Sequence, residues 1–249
     1  DSGLPDFRGP EGFWRAYPPL RQLGVRFEEM ANPHWFHRDP TLAWGFYGHR
    51  LGLYRQTEPH AGFQQLLTLA RERPIFVYTS NVDGAFQNAG FTADSIFEIH
   101  GSLHHLQCLN DCGQVIWPAH DVNVNVNMQT LRALEPLPSC LRCHGLARPN
   151  VLMFGDWRWD ESRTAAQARR YRSWTGHDTG NLVIVELGAG TSVPSVRHEC
   201  EDRADRARGT LIRINPRESH GPAGTISVST GALEGLTRIA EILGLRSFT

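Results

Sequence analysis

Ile75-Phe76-Val77-Tyr78-Thr79-Ser80-Asn81-Val82-Asp83-Gly84 passes from an apolar, partly β-branched run into a polar turn that ends in glycine. A short apolar run bounded by turn residues is the pattern of a strand buried on both faces, as in a parallel sheet. Similar runs recur at 96–99, 182–187, 211–214 and 225–228. Between and after them lie stretches of helical periodicity at 61–73, 159–174, 195–208 and 232–243. Strands alternating with helices predict an α/β fold with a doubly wound parallel sheet.

Two stretches break the alternation. Residues 12–58 are rich in aromatics and carry a helical pattern over 41–55, and residues 102–149 carry four cysteines. We expect these two stretches to form a small domain, with 1–11, 59–101 and 150–249 forming the larger one. The run Val122-Asn123-Val124-Asn125-Val126-Asn127 alternates like a short strand and equally suits an exposed loop.

The 249 residues carry a formal charge of -1, which gives no general attraction to nucleic acid or to an anionic membrane. No run of about 18 apolar residues is present, and the visible start does not read as a signal peptide. All 25 basic residues are arginine. A chain without lysine cannot serve as its own acyl-lysine substrate through a side chain.

Cys108 and Cys112, then Cys140 and Cys143 after a gap of 27 residues, form two close pairs, with Cys200 apart. Disulfides within the pairs would close very short loops and restrain the unfolded chain little. Four thiolates on two turns instead suit a tetrahedral zinc ion with no open position, which makes the metal structural. A reducing, cytoplasmic setting follows as an expectation.

The remaining candidate chemistry sits at strand ends. Ser80, Asn81 and Asp83 follow the first strand, where open α/β sheets bind ligands, although Asn and Asp also serve simple turns. His100, in Ile99-His100-Gly101, ends the next run and can act as a general base near neutral pH. Only that position singles it out among twelve histidines. Gly188-Ala189-Gly190-Thr191-Ser192 stands between a strand and a helix, the setting of phosphate-cradling loops, and Asn215 follows a further strand. Near the start, Ser2-Gly3-Leu4-Pro5-Asp6-Phe7-Arg8-Gly9 places an aromatic and a base in a glycine-framed loop. Phe7 and Arg8 there can cover an aromatic ring and an anion.

Taken in order, SGLPDFRG, TSNVDG, IHG, the cysteine pairs, RPNVLMFGD, GAGTS and INPRE resemble the sirtuin family from residue 1 to about residue 243. The resemblance implies a Rossmann-like NAD domain with a zinc ribbon and helical module inserted. It also implies an acyl-lysine protein or peptide as substrate, lying in the cleft between the two parts. In that family NAD is the co-substrate and zinc is structural. His100 then activates a ribose hydroxyl after nicotinamide leaves, and O-acyl-ADP-ribose is the second product. Phe7, Arg8, Ser80, Asn81, Asp83, Gly188, Gly190, Thr191, Ser192 and Asn215 match cofactor-binding positions. Leu152, Phe154, Gly155 and Asp156 match the segment that pairs with substrate backbone as an added strand.

Tyr47 and Arg50, three apart on one helix face, can share a carboxylate. Their Tyr-x-x-Arg spacing resembles the signature of class III sirtuins, which remove succinyl and malonyl groups; Tyr47 in the core with Arg50 solvated is the plainer alternative. The match departs from the family at Ser80, where glutamine is usual, at Asp156, where glutamate is usual, at the Trp157-Arg158-Trp159 that follows, and at Pro194. The family's glycine loop for pyrophosphate would lie ahead of Ser2. NAD hydrolysis, ADP-ribosyl transfer to protein, and non-catalytic NAD sensing remain open alternatives at this point.

Overall fold

A computed structural model describes residues 2–4, 10–176 and 181–244. Phe7 and Arg8 lie outside the described residues. Four short helices come first, α1 (Pro10–Ala16), α2 (Pro18–Gln22), α3 (Phe27–Met30) and α4 (Trp35–Arg38), and the long α5 (Pro40–Gln56) follows. After α6 (Ala61–Glu72) come β1 (Val77–Thr79), α7 (Ala85–Asn88) and β2 (Ile96–Glu98). The cysteine-bearing stretch spans β3 (Gly101–Cys108), β4 (Trp117–Pro118), β5 (Val126–Asn127), β6 (Arg132–Ala133) and β7 (Ala147–Val151). The chain then alternates through α8 (Ser162–Thr175), β8 (Val183–Leu187), α9 (Ser195–Ala207), β9 (Thr210–Ile214), β10 (Ile226–Val228) and α10 (Ala232–Ile242).

Each strand read from the sequence forms, and every pairing among these five is parallel. Among the described residues they make two hydrogen-bonded groups, β1 with β2, and β8, β9 and β10 with β9 central. The two groups share one apolar core, in which Val77 and Ile96 pack with Val185, Leu187, Leu66 and Leu236. Helices α6 and α10 close over that core through Gln65 Nε2 donating to Thr237 Oγ1 at 3.2 Å. Helix α8 starts at Ser162, three residues later than periodicity suggests, and the Ser162 N–H donates to Asp160 Oδ1 at 3.0 Å in the turn that leads into it.

The other core is aromatic. Phe13, Tyr17, Phe36, Trp44, Phe46 and Tyr47 are each at most 1% exposed and pack with Leu103, Leu106 and Leu131 from the strand-rich stretch. Helix α5 runs through its centre. Asp39 caps it by accepting from Leu42 N at 3.2 Å, and Pro40 supplies the fixed φ of a first helical residue. The alternating valines resolve into both readings at once. Val126-Asn127 pairs with Arg132-Ala133, while Val122 and Val124 pack as loop residues against the core.

Two glycines fix which way α5 faces. A Cβ on Gly45 would stand 2.0 Å from Leu131 O, and one on Gly48 would stand 2.5 Å from Val124, so only glycine lets the helix lie this close to the β5–β6 hairpin. At about 100° per residue, the face carrying Tyr47, Arg50 and Tyr54 lies roughly opposite.

Candidate active site

Gly101 shapes the backbone at His100. Its φ is +76°, and a Cβ there would lie 2.1 Å from Asn150 O. Glycine therefore lets β3 begin immediately after His100 and pair with β7. His100 is half-buried at the end of β2, and its carbonyl accepts the Leu152 N–H at 3.0 Å.

The polar turn after β1 lies alongside. Asp83 Oδ1 accepts the Ala85 N–H at 2.9 Å, and the Asp83 carbonyl receives His104 Nε2 at 2.8 Å. Burial pushes the Asp83 carboxyl above its ordinary range, while the Ala85 N–H and the Arg50 charge pull it back. Asn81 is exposed, with its N–H on Thr79 Oγ1 at 3.1 Å, and Ser80 is half-buried.

Arg50 is 8% exposed. Its Nε and Nη2 donate to Tyr54 Oη at 3.0 and 2.5 Å, and its guanidinium carbon lies 5.2 to 5.9 Å from the ring centroids of Phe46, Tyr54 and Phe27. Tyr47 stacks on Phe36 in the core, yet its hydroxyl is buried with no hydrogen-bond partner among the described residues. The plainer alternative for this pair holds only in part. The tyrosine ring packs, while the arginine is buried and not solvated.

The loops after β8 and β9 meet. Asn215 Nδ2 donates to Ala189 O at 3.1 Å, and its Oδ1 accepts the Arg217 and Glu218 N–H groups. Glu218 in turn accepts Thr191 Oγ1–H at 2.6 Å and Thr191 N–H at 3.2 Å. Gly188 turns the chain at φ +63°, Gly190 lies beside the Glu218 carboxylate, and Ser192 is exposed. A carboxylate among these donors suits the hydroxyls of a sugar better than a phosphate. The acidic residue of the dinucleotide-binding pattern meets ribose in that way. Arg197, which no local motif marks, ties both loops together by donating to Ala189 O, Glu218 O and His220 O.

Two observations bear on the role expected of the 152–156 segment. The Asp156 side chain points into the protein. Its carboxylate is wholly buried in an ion pair with Arg148 and also accepts the Met153 N–H. Such a pair is expensive to open because each charge would be left desolvated. The N–H groups of Leu152 and Phe154 are also taken, by His100 O and Ala31 O, so an added strand would have to use the intervening peptide groups. Leu152, Phe154 and Gly155 are exposed, and Trp157 beside them is 96% exposed.

The four cysteine sulfurs lie within 4.8 Å of one another. Cys108 to Cys143 and Cys112 to Cys140 both measure 3.6 Å, far longer than a disulfide and close to the ~3.8 Å edge of a zinc–sulfur tetrahedron. Backbone N–H groups of Asn110 and Arg142 approach Cys108 Sγ and Cys140 Sγ at 3.3 and 3.4 Å, the arrangement that supports thiolates. The residues fit a structural zinc ion. With all four positions filled by protein, the ion would brace β3 against the 140–146 turn and take no part in the chemistry.

A family model described as Sir2 family matches residues 1–173. The chain belongs to the Sir2 family. Among curated Sir2 relatives, an NAD-dependent protein deacylase of Pyrobaculum aerophilum is 35% identical over 97% of this chain and 85% of its own length. One of Aquifex aeolicus is 33% identical over 88% and 80%. The mitochondrial NAD-dependent protein deacylase sirtuin-5 of Danio rerio is 33% identical over 67% of this chain, which spans only 57% of that protein. A solved Sir2 homologue in complex with ADP-ribose superposes with a TM-score of 0.69 at 25% identity, covering 98% of this chain and 89% of the other. The Rossmann-like fold with its zinc module is therefore that of the Sir2 family.

Proposed function

We propose that the protein removes acyl groups from lysine side chains of proteins at the expense of NAD, and that it favours acyl groups ending in a carboxylate. Family membership and the deacylase relatives support the first part. The second rests on one observation, the buried and unpartnered Tyr47 hydroxyl on the same face of α5 as the buried Arg50. A desolvated guanidinium beside a phenol offers charge-assisted hydrogen bonds to a succinyl or malonyl carboxylate and nothing comparable to an acetyl methyl.

NAD, when bound, supplies an electrophilic ribose carbon and nicotinamide as leaving group. Around it, His100 would take the proton of a ribose hydroxyl, Ser80, Asn81 and Asp83 would hold the nicotinamide end, and Thr191, Ser192 and Glu218 would hold the far ribose. Leu152, Phe154 and Gly155 would border the peptide. No helix among the described residues is long and apolar enough to cross a membrane. The reduced four-cysteine cluster favours a reducing compartment such as the cytoplasm.

The test is nicotinamide release with acetyl-, succinyl- and malonyl-lysine peptides. We expect kcat/KM to be higher on the two acidic groups. Arg50→Met should lower kcat/KM on succinyl-lysine by about 100-fold, equivalent to ~2.7 kcal/mol, with acetyl-lysine changed much less. His100→Tyr should stop both. Activity on acetyl-lysine alone would remove the acidic preference, and nicotinamide release without any acyl peptide would replace deacylation by NAD hydrolysis.

A further inference from the structure

A cavity of about 620 Å³ opens among α3, α4 and β6, and its lining includes Glu29, His34, Trp35, Arg38, Asp39 and Arg132. The charges there are not all matched. Glu29 accepts from Arg26 N at 2.8 Å and pairs with Arg26 Nε at 3.4 Å, while Asp39 is taken by Arg132 Nη1 at 2.6 Å, by Thr41 Oγ1 and by the Leu42 N–H. Arg38 is the charge of this lining that has no carboxylate partner among the described residues. Its guanidinium carbon instead lies over the Trp35 ring, 5.5 Å from the centroid. An aromatic face attracts the cation but accepts none of the hydrogens in the guanidinium plane, so these stay available to a carboxylate. The wall around Arg38 is set before any ligand arrives. Trp35 Nε1 donates to Glu29 O at 2.8 Å, and Asn32 Oδ1 accepts the His34 N–H and its ring Nδ1–H at 3.0 and 2.8 Å, with the His34 ring 4.7 Å from that of Trp35. Asn32, which also lines the cavity, joins it to the exposed 152–155 segment. Beside it Ala31 O accepts the Phe154 N–H at 2.8 Å, and a Cβ on Gly155 would stand 3.7 Å from Asn32 Nδ2.

We propose that this cavity is a specificity subsite for the substrate polypeptide, receiving on Arg38 an aspartate or glutamate side chain that flanks the acyl-lysine. A peptide bordered by 152–155 reaches it by continuing past Asn32, each extended residue adding ~3.3 Å. A carboxylate there gains a charge-assisted hydrogen bond and meets a wall already ordered, which lowers the entropy lost on binding. A glutamine of the same length gains nothing from the unmatched charge. This inference rests on the deacylase reading and on 152–155 as the border of the peptide.

Nicotinamide release by the full chain tests the idea, with peptides carrying whichever acyl-lysine the parent turns over fastest. A single glutamate, or a glutamine as its control, is walked along both flanks of that lysine. At one position the glutamate peptide should show a KM about fivefold below that of its glutamine twin, with kcat within about twofold. In about 0.5 M NaCl the advantage should shrink below about twofold, as expected of a solvent-accessible charge pair. Arg38→Gln should bring the KM ratio of the two peptides to about one. Arg38→Met, which keeps an apolar stem on Trp35, should do the same, and it decides the matter if Arg38→Gln fails to melt cooperatively. No position with a glutamate advantage, an advantage indifferent to salt, or one that persists without the Arg38 charge would overturn the subsite alone. A parent that turns over no acyl-lysine peptide would overturn the deacylase reading and the subsite together.

Discussion

The two cores of this molecule are held by different forces. Around α5 the interior is mostly apolar and aromatic, with the Arg148–Asp156 pair as its buried ion pair and the four-cysteine cluster at its edge. Under the parallel strands the apolar cluster is small, and much of the buried volume belongs to charged pairs. Arg213 and Glu186 are both fully buried and bonded at 2.7 and 2.8 Å, Arg163 reaches the buried Glu98 from α8, and Arg213 also meets Glu201 on α9. Apolar packing tolerates the loss of a methylene, but a buried ion pair does not tolerate the loss of a partner. The contrast teaches where each half is vulnerable: one to loss of its metal, the other to loss of a single charge.

The largest effect should come from the metal. Cys140→Ser, at a fully buried ligand, should abolish stoichiometric zinc and lower the melting temperature by more than about 10 °C, since structural zinc contributes folding free energy directly. Zinc content and a thermal melt check this, and a zinc-free variant that melts like the parent would break the contrast. Next comes Arg213→Met, which leaves the buried Glu186 with only the more distant Arg197 guanidinium, at 4.0 Å. A loss of about 3–5 kcal/mol in urea unfolding is expected, with most of it regained when Glu186→Leu is added. If the double variant is no better than the single one, charge pairing is not what holds that half.

The smallest effect is a pH dependence. His105 sits near Arg163 and Glu98 with its Nδ1 buried and unpartnered, and burial, followed by the Arg163 charge, pushes its pKa down to about 4. The folded state therefore keeps the ring neutral where the unfolded chain protonates it. This contribution is fully present above about pH 6.5 and is lost as pH falls towards 4, amounting to roughly 2–3 kcal/mol. Urea midpoints at stepped pH should show that decline, and His105→Gln should flatten it.

Much of this was legible in the chain. The strands announced themselves because buried parallel strands are short, apolar and ended by turn residues, and the cysteine spacing specified its own cluster. Motif position also carried His100, Asp83 and the loop after β8 to the carboxyl ends of strands. Side-chain direction was not legible. Asp156 reads as a substrate residue by position in its motif, yet it points inward to Arg148, because nothing in a linear sequence tells which side of a turn a carboxylate faces. Glu218 and Arg197 join loops across two strand ends, and such pairs depend on topology, not spacing. Tyr54 was in reach, since a residue four after Arg50 must share its helix face. What hid it was the lack of any local cue that the face looks inward.

Helix α5 keeps its two duties on opposite sides. The glycines that seat it against the hairpin are at 45 and 48, while Tyr47, Arg50 and Tyr54 lie on the other face. The side chains at 47, 50 and 54 can therefore change without unseating the helix from the hairpin.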